Sequence, residues 1–391
     1  MSSAKPSLDL LRALTGEHVL RTLMDHGRLT RAEIAALTGI SKPTISEGVR
    51  RLVEAGLVVD TGERSSGRGR AGTYYSLSPA CGAALAVSIT PHAVTVEEVD
   101  ALGSVSAATE VTLDREPGVG GVATALTEAL STLGTGTAAD GRLPRLAVVS
   151  VADPVDRGTG RPVHLPDAPF LVGDLDPRSL LAAVVSGPVL VDNDVNWAAR
   201  AEQSAVAGGD ESGYRDFVYL YLDEGLGCAV VCDGDVRRGH SGLAGEIAHV
   251  RTVGPDGQAI RFTEVFAELG LRLAGTTAID VELLRTRIAD EGNETLRALG
   301  AAVAGVLEAA VAFADPQCVV LGGEWGRDAR FVEELQRCSA ALPRRVPVVT
   351  AAVTEYPSLT GARAAALDQL RSAIIATSSA QPHQPAGRHQ G

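Results

Sequence analysis

Between Thr30 and Gly56 the chain reads TRAEIAALTGISKPTISEGVRRLVEAG, a stretch that admits few backbones. Thr30 and Glu33 have the spacing of a capping box, in which hydroxyl and carboxylate each meet an N–H left unpaired by the first helical turn. Ile34 and Leu37 then share a face directed at a core. Gly39 can turn left-handed and stop the helix, and Ile40 returns to the core across the turn. Ser41 can cap a second helix whose first turn accepts Pro43, because no N–H is needed there. That helix sets Ile45, Val49, Leu52 and Val53 on one face at 3.6-residue spacing. Its other face carries Thr44, Glu47, Arg50 and Arg51, with Ser41 and Lys42 at its leading end. A polar, partly basic helix after a tight turn is what a DNA major groove receives. An ordinary αα-hairpin with a solvated face carries the same pattern.

The flanks weigh toward the DNA-binding reading. Glu17 to Gly27 predicts a preceding helix with Val19, Leu20, Leu23 and Met24 inward. Leu57 to Val59 and Thr73 to Leu77 predict two strands joined by the turn ERSSGRGRAG, so three helices and a hairpin make a winged helix. The turn sets Arg64, Arg68 and Arg70 among glycines, which lets arginine approach phosphates or a narrow minor groove. The DNA-binding candidates are therefore Ser41, Lys42, Thr44, Glu47, Arg50, Arg51, Arg64, Arg68 and Arg70, and double-stranded DNA is the expected partner.

The formal net charge of -13 opposes that expectation only until it is divided. Residues 1–80 hold 11 Lys+Arg against 8 Asp+Glu, a balance of +3, and the remainder holds 24 against 40, a balance of −16. A basic head supplies local attraction to phosphate, and an acidic body keeps nonspecific binding low.

The 391 residues, 45% of them hydrophobic, suffice for two or three domains with real cores. Three segments are expected: the head at 1–78, a body at 83–376 and a polar tail at 377–391 too poor in apolar residues to stay ordered. In the body, strands are expected at Ala83–Ile89, Ala93–Val99, Gly103–Val111 and Leu146–Val151. Helices are expected at Val122–Leu133, Ser179–Val185, Val195–Ala207, Arg261–Leu273 and Glu294–Phe313, the last one running from Leu359 to Ile375. Mixed sheets with intervening helices indicate an α/β body. The five cysteines form no CxxC pair, which argues against a zinc ribbon or a disulfide framework. No run of 18 apolar residues and no secretory leader is evident, so a cytoplasmic protein without a membrane span is expected.

The body carries VADPVD at 151–156, VDNDVNWAARAE at 191–202, GLGCAVVCDGDVRRGHSGLAGEIAHV at 225–250 and CVVLGGEWG at 318–326. With these runs the chain resembles the ROK family (repressors, open reading frames and sugar kinases). The head, with TGISKPTIS, is similar to the family's repressor branch, which includes xylose- and N-acetylglucosamine-type repressors. The resemblance implies an actin-like (ribonuclease H-like) body whose two lobes enclose a cleft. It places Asn193 and Asp194 on the family's sugar-binding Asn and catalytic Asp, and Glu246, His249 and, more loosely, Glu264 on positions that bind sugar hydroxyls. Asn193 and Asp194 also read as a helix N-cap, and His249 as a hydrogen-bonded core histidine.

The departures from the family pattern bear on activity. Val87-Ser88-Ile89-Thr90-Pro91-His92 stands where the kinases have an Asp-x-Gly-Gly-Thr phosphate loop, so the metal-holding Asp and the glycines are missing. The second phosphate loop reads Asp223-Glu224-Gly225-Leu226-Gly227, with two carboxylates where a triphosphate would sit. Arg251 to Glu264 lacks the cysteines of the family's zinc site, and His249 alone cannot hold zinc. The expectation is a sugar-responsive DNA-binding repressor, acting as a homodimer or tetramer, without ATP, zinc or catalytic residues; Asp194 is a degenerate kinase position. The alternative is an ATP-dependent sugar kinase with an attached DNA-binding domain.

Overall fold

The computed structural model describes residues 8–65, 72–114, 118–134, 142–165, 175–207, 213–290 and 294–380. Arg68, Arg70 and the tail from 381 onward lie outside the described residues.

The head comprises α1 (Leu8–His26), β1 (Arg28–Thr30), α2 (Arg31–Thr38), α3 (Lys42–Glu54), β2 (Val58–Arg64) and β3 (Thr73–Leu77). Its sheet has the order β1-β3-β2, which makes it a winged helix with an added short strand. The capping box forms: the Glu33 N–H donates to the Thr30 hydroxyl, and the Thr30 N–H donates to the Glu33 carboxylate at 2.7 Å. Gly39 closes α2 at φ 69.

Three local expectations fail. Leu37 is 55% exposed and Val53 39% exposed, so neither joins the core. Gly48 completes the buried face of α3 instead, since a Cβ there would lie 3.1 Å from Thr15 Cγ2 on α1. The first helix starts at Leu8 rather than Glu17, because Leu10, Leu11 and Leu14 face outward and give no core periodicity.

The body repeats one plan twice. Lobe 1 contains β4 (Ala83–Ile89), β5 (Ala93–Asp100), β6 (Val105–Thr112), α4 (Gly118–Leu133), β7 (Leu146–Val151), α5 (Pro177–Leu181), β8 (Val189–Asn193) and α6 (Asp194–Ala207). Lobe 2 contains β9 (Phe217–Leu222), β10 (Leu226–Cys232), β11 (Asp235–Val236), the hairpin β12 (Arg251–Val253) and β13 (Ala259–Arg261), and then α7 (Phe262–Glu268), α8 (Val281–Ala289) and α9 (Glu294–Ala314). It ends with β14 (Cys318–Gly322), α10 (Ala329–Ser339) and β15 (Val348–Thr350), after which α11 (Pro357–Ala380) returns to lobe 1. The sheets run β6-β5-β4-β7-β8 and β11-β10-β9-β14-β15. Each begins as an antiparallel meander and adds two parallel strands beside its first strand. This duplicated α/β plan is the expected actin-like body.

Helix bounds differ where capping overrides periodicity. The helix expected over Arg261–Leu273 runs only over Phe262–Glu268, with Leu269 as its C-cap and Gly270 following at φ 65. That expected over Ser179–Val185 is the short α5, begun by its Asp176 cap. Residues 377–380, expected in the disordered tail, continue α11. α9 is long and apolar enough to cross a membrane by length and composition, but Leu299, Val303, Val306 and Leu307 fill the lobe 2 core.

β4 shows how the core is divided. Leu85, Val87 and Ile89 face one cluster with α4, while Ala84 and Ala86 face another with α11. This second cluster continues into the head, joining Leu370 and Ile374 of α11 to Val19, Leu23, Ile45 and Leu77. Head and lobe 1 therefore share one core. α6 lies between the lobes, with Trp197 on the α11 side and Val195, Ala198 and Ala199 against the lobe 2 sheet. The Trp197 indole N–H donates to the Val149 carbonyl at 3.0 Å.

Candidate functional site

Strand β8 runs straight into α6, and the junction sits at the cleft. The Asn193 side-chain oxygen accepts from the Val195 N–H at 3.0 Å, as does Asp194 at 2.8 Å. The Asn193 amide donates to the Asp153 carbonyl at 3.1 Å. Asn193 and Asp194 thus form the helix cap that the sequence allows, and they also line the cavity between the lobes. Beneath them Asp192 is buried, accepts from Asn196 at 2.9 Å and pairs with Arg238 of lobe 2 at 2.8 Å. That ion pair fixes the strand end against the lobe 2 loop.

The cavity has a volume of about 620 Å³. Its lobe 2 wall includes Glu246 and His249. Gly245 sets Glu246 in place: it has φ 95, and a Cβ there would collide with the Cys228 carbonyl of β10. Burial pushes the Asp194 carboxyl up to about 7, against the pull of the Val195 N–H. Burial, and secondarily the Asp194 charge, pushes Glu246 up to about 7 as well. Glu264 is placed differently from expectation. Its carboxylate accepts from the Arg261 N–H at 2.9 Å as the cap of α7, and the neighbouring Thr263 lines the cavity.

The β4–β5 turn and the β9–β10 turn meet across the cleft. His92 Nε2 lies 2.8 Å from the Glu224 carboxylate, and that hydrogen bond raises the His92 pKa. Burial raises the Asp223 pKa, although Asp223 also accepts from the Glu324 N–H at 2.8 Å. A second cavity of about 650 Å³ adjoins here, lined by Asp223, Arg285, Gly323, Glu324 and Arg327 among others. Arg285 is paired with Glu324, and Arg327 Nε donates to the Gly323 carbonyl at 3.1 Å.

Sequence reasoning missed the rim formed by Thr354, Tyr356, Pro357 and Ser358, which lines the first cavity and begins α11. Tyr356 has φ 44, a strained conformation for a non-glycine residue. Only Pro357, suited to a first helical turn, marks this place in the sequence.

On the head, Ser41, Lys42, Thr44, Glu47 and Arg50 are all exposed along α3. The Ser41 hydroxyl caps the helix by accepting from Thr44 N–H. Arg50 donates to Glu47 at 2.6 and 3.0 Å and also pairs with Glu54, so phosphate must compete with two carboxylates. Arg51 lies away from this row: its Nη2 donates to the Arg12 carbonyl of α1 at 3.0 Å. Arg64 pairs with Asp60 at 3.1 Å at the end of β2.

Residues 121–262 match the model of the ROK family, and residues 18–71 match that of the MarR family. A putative xylose repressor from Caldicellulosiruptor sp. is 22% identical over 247 residues, 62% of this chain and 59% of its own length. An N-acetylmannosamine kinase from Salmonella typhimurium is 31% identical over 169 residues, 40% of this chain and 56% of its own length. The chain thus spans less than two thirds of either curated relative. A ROK family transcriptional regulator, described as a homologue of the E. coli Mlc protein, shares the fold with a TM-score of 0.61 at 16% identity, covering 93% of this chain and 99% of that one. A ROK family glucokinase from Streptomyces griseus, solved with glucose and AMPPNP, gives 0.53 at 20% identity over 73% of this chain and 99% of its own.

Proposed function

We propose that this chain, in which a MarR-type winged helix is joined to a ROK-family domain, is a cytoplasmic transcriptional repressor that senses a sugar. One observation carries the reading: α11 begins at the rim of the cleft and ends in the core of the DNA-reading head. The similarity to a putative xylose repressor and the regulator-like fold over nearly the whole chain support it.

A sugar in the cleft would place its hydroxyls on Asn193, Asp194, Glu246 and His249, where carboxylates accept and amides donate. It acts by preferring one arrangement of the lobes. The rim at 354–358 then moves with lobe 2, and α11 carries the change to α1. A homodimer would present two α3 helices to half-sites of a near-palindromic operator.

Asp194, held at about 7, would suit a base working near neutral pH, which favours the kinase reading. Against it, the family resemblance sets Asp223 and Glu224 at the triphosphate position, and the His92–Glu224 contact supports a loop pair occupied with its own charges. We therefore read the chain as a non-enzyme. The test pairs fluorescence anisotropy on DNA from the chain's own promoter with an ADP-release assay over a panel of sugars. The expected result is a DNA complex whose affinity one sugar changes by about tenfold or more, without ADP above background. Robust turnover that Asp194→Asn abolishes would overturn it.

A further inference from the structure

The charge of the cleft narrows its ligand. Both lobes contribute carboxylates to the lining: Glu110 and Asp153 from lobe 1, Asp194 at the junction, and Asp223, Glu224, Glu246 and Glu324 from lobe 2. Among the described lining residues there is no Lys or Arg, and the basic side chains are His92 and His249. His92 is held by Glu224 at 2.8 Å. The guanidinium groups of Arg285 and Arg327 line the adjoining second cavity, that of Arg238 lies outside this lining, and each has a partner within the protein. Arg285 pairs with Glu324, Arg327 donates to Gly323, and Arg238 pairs with Asp192 beneath β8.

A phosphate or carboxylate entering this lining meets like charge from both walls in a partly desolvated space, with no bidentate partner to receive it. A neutral polyol meets acceptors matched to its hydroxyl donors. At neutral pH Asp194 and Glu246 are each part protonated, so they can also donate to hydroxyl oxygens.

We infer that the cleft takes its sugar unphosphorylated and free of acidic groups, whether neutral or amine-bearing, and rejects sugar phosphates and sugar acids. The inference rests on the sugar-sensing reading above. It places the response ahead of any phosphoryl transfer: the effector is supplied by glycoside hydrolysis or by uptake that leaves the sugar unmodified.

The experiment is isothermal titration of the full chain with matched sets: a free sugar that raises the melting temperature, its terminal phosphate and its uronic acid. The free sugar is expected to bind at least about 100-fold more tightly than either anionic form. In Asp223→Asn/Glu224→Gln the ratio of free to phosphorylated affinity should narrow about tenfold or more. A phosphorylated sugar that binds as tightly as the free one overturns this inference and leaves the sensing reading standing. If no free or anionic sugar binds at all, both fail.

Discussion

Arg371 of α11 donates through Nη2 to the Met24 carbonyl at 2.9 Å and through Nε to the Ala101 carbonyl at 3.0 Å. Met24 lies in the last turn of α1, where carbonyls are left without helical partners and the helix dipole favours a cation. Ala101 lies in the turn between β5 and β6. One guanidinium therefore ties the head, lobe 1 and the helix that starts at the cleft.

Removing that tie should uncouple the head before it unfolds it. Arg371→Ala is expected to cost about 1–2 kcal/mol, the range of charge-assisted hydrogen bonds discounted for partial exposure. Operator binding without sugar should persist, the sugar effect on it should shrink, and amide exchange at the end of α1 should rise. An undiminished sugar effect would place the coupling elsewhere.

On the head, Lys42 and Arg51 should behave differently. Lys42 is exposed at the leading end of α3. Lys42→Ala should weaken operator binding and reduce the salt slope by about 1. Arg51→Ala should lower thermal stability and leave the salt slope unchanged, because its guanidinium holds α1 to α3. A reduced slope for Arg51→Ala would return that residue to the interface.

These cases show what was legible in the sequence. The capping box, the Gly39 stop and the order of strands were readable because they depend on local chemistry and period-2 or period-3.6 patterning. Leu37 and Val53 misled because an apolar residue at helical spacing does not announce which face the neighbouring helix covers. Arg51 shares its helix with Arg50, and only the position of α1 separates their roles. Asn193, Asp194, Glu246 and His249 lie in the runs at 191–202 and 225–250 and line one cavity. Glu264 was displaced by a cap three residues after Arg261, and the rim at 354–358 had no pattern beyond Pro357. The His92–Glu224 contact joins residues 132 apart in sequence, beyond the reach of local reasoning.

Gly361 gives a stability test with an inverted sign. In most helices Gly→Ala stabilises by about 1 kcal/mol. Here a Cβ would collide with the Trp197 carbonyl, where α11 crosses α6. Gly361→Ala should instead destabilise by about 2 kcal/mol or more, because two packed backbones must separate. Chemical denaturation of both proteins would measure this, and a more stable variant would refute the crossing.

The cleft carboxyls predict a pH dependence. Asp194 and Glu246 titrate near 7 when folded, against 3.8 and 4.5 ordinarily, so the folded chain binds more protons than the unfolded chain between these values. Stability should therefore fall by several kcal/mol as pH rises from about 4 to 7. His92, raised by Glu224, adds a loss in the same direction as pH passes above 6.5. Asp194→Asn/Glu246→Gln should flatten the lower window and retain the loss at higher pH, read from melting curves in buffers of constant ionic strength. Glu246→Gln alone should leave operator binding intact and abolish the response to sugar.

Tyr356 combines strain with position, and the two can be separated. Its φ of 44 costs about 1–2 kcal/mol for an ordinary side chain, whereas asparagine tolerates this region through its short polar side chain. The residue is 64% exposed, so it contributes little to the core. It lines the cavity, one residue before Pro357 opens α11. Tyr356→Asn should therefore melt at the same temperature or slightly higher and bind the sugar about tenfold more weakly. Strain that the native residue stores at the start of α11 would be relaxed in the variant, so the sugar's effect on operator affinity should fall further than its binding alone explains. A variant that melts several degrees lower and binds sugar normally would make Tyr356 a packing residue with no part in sensing.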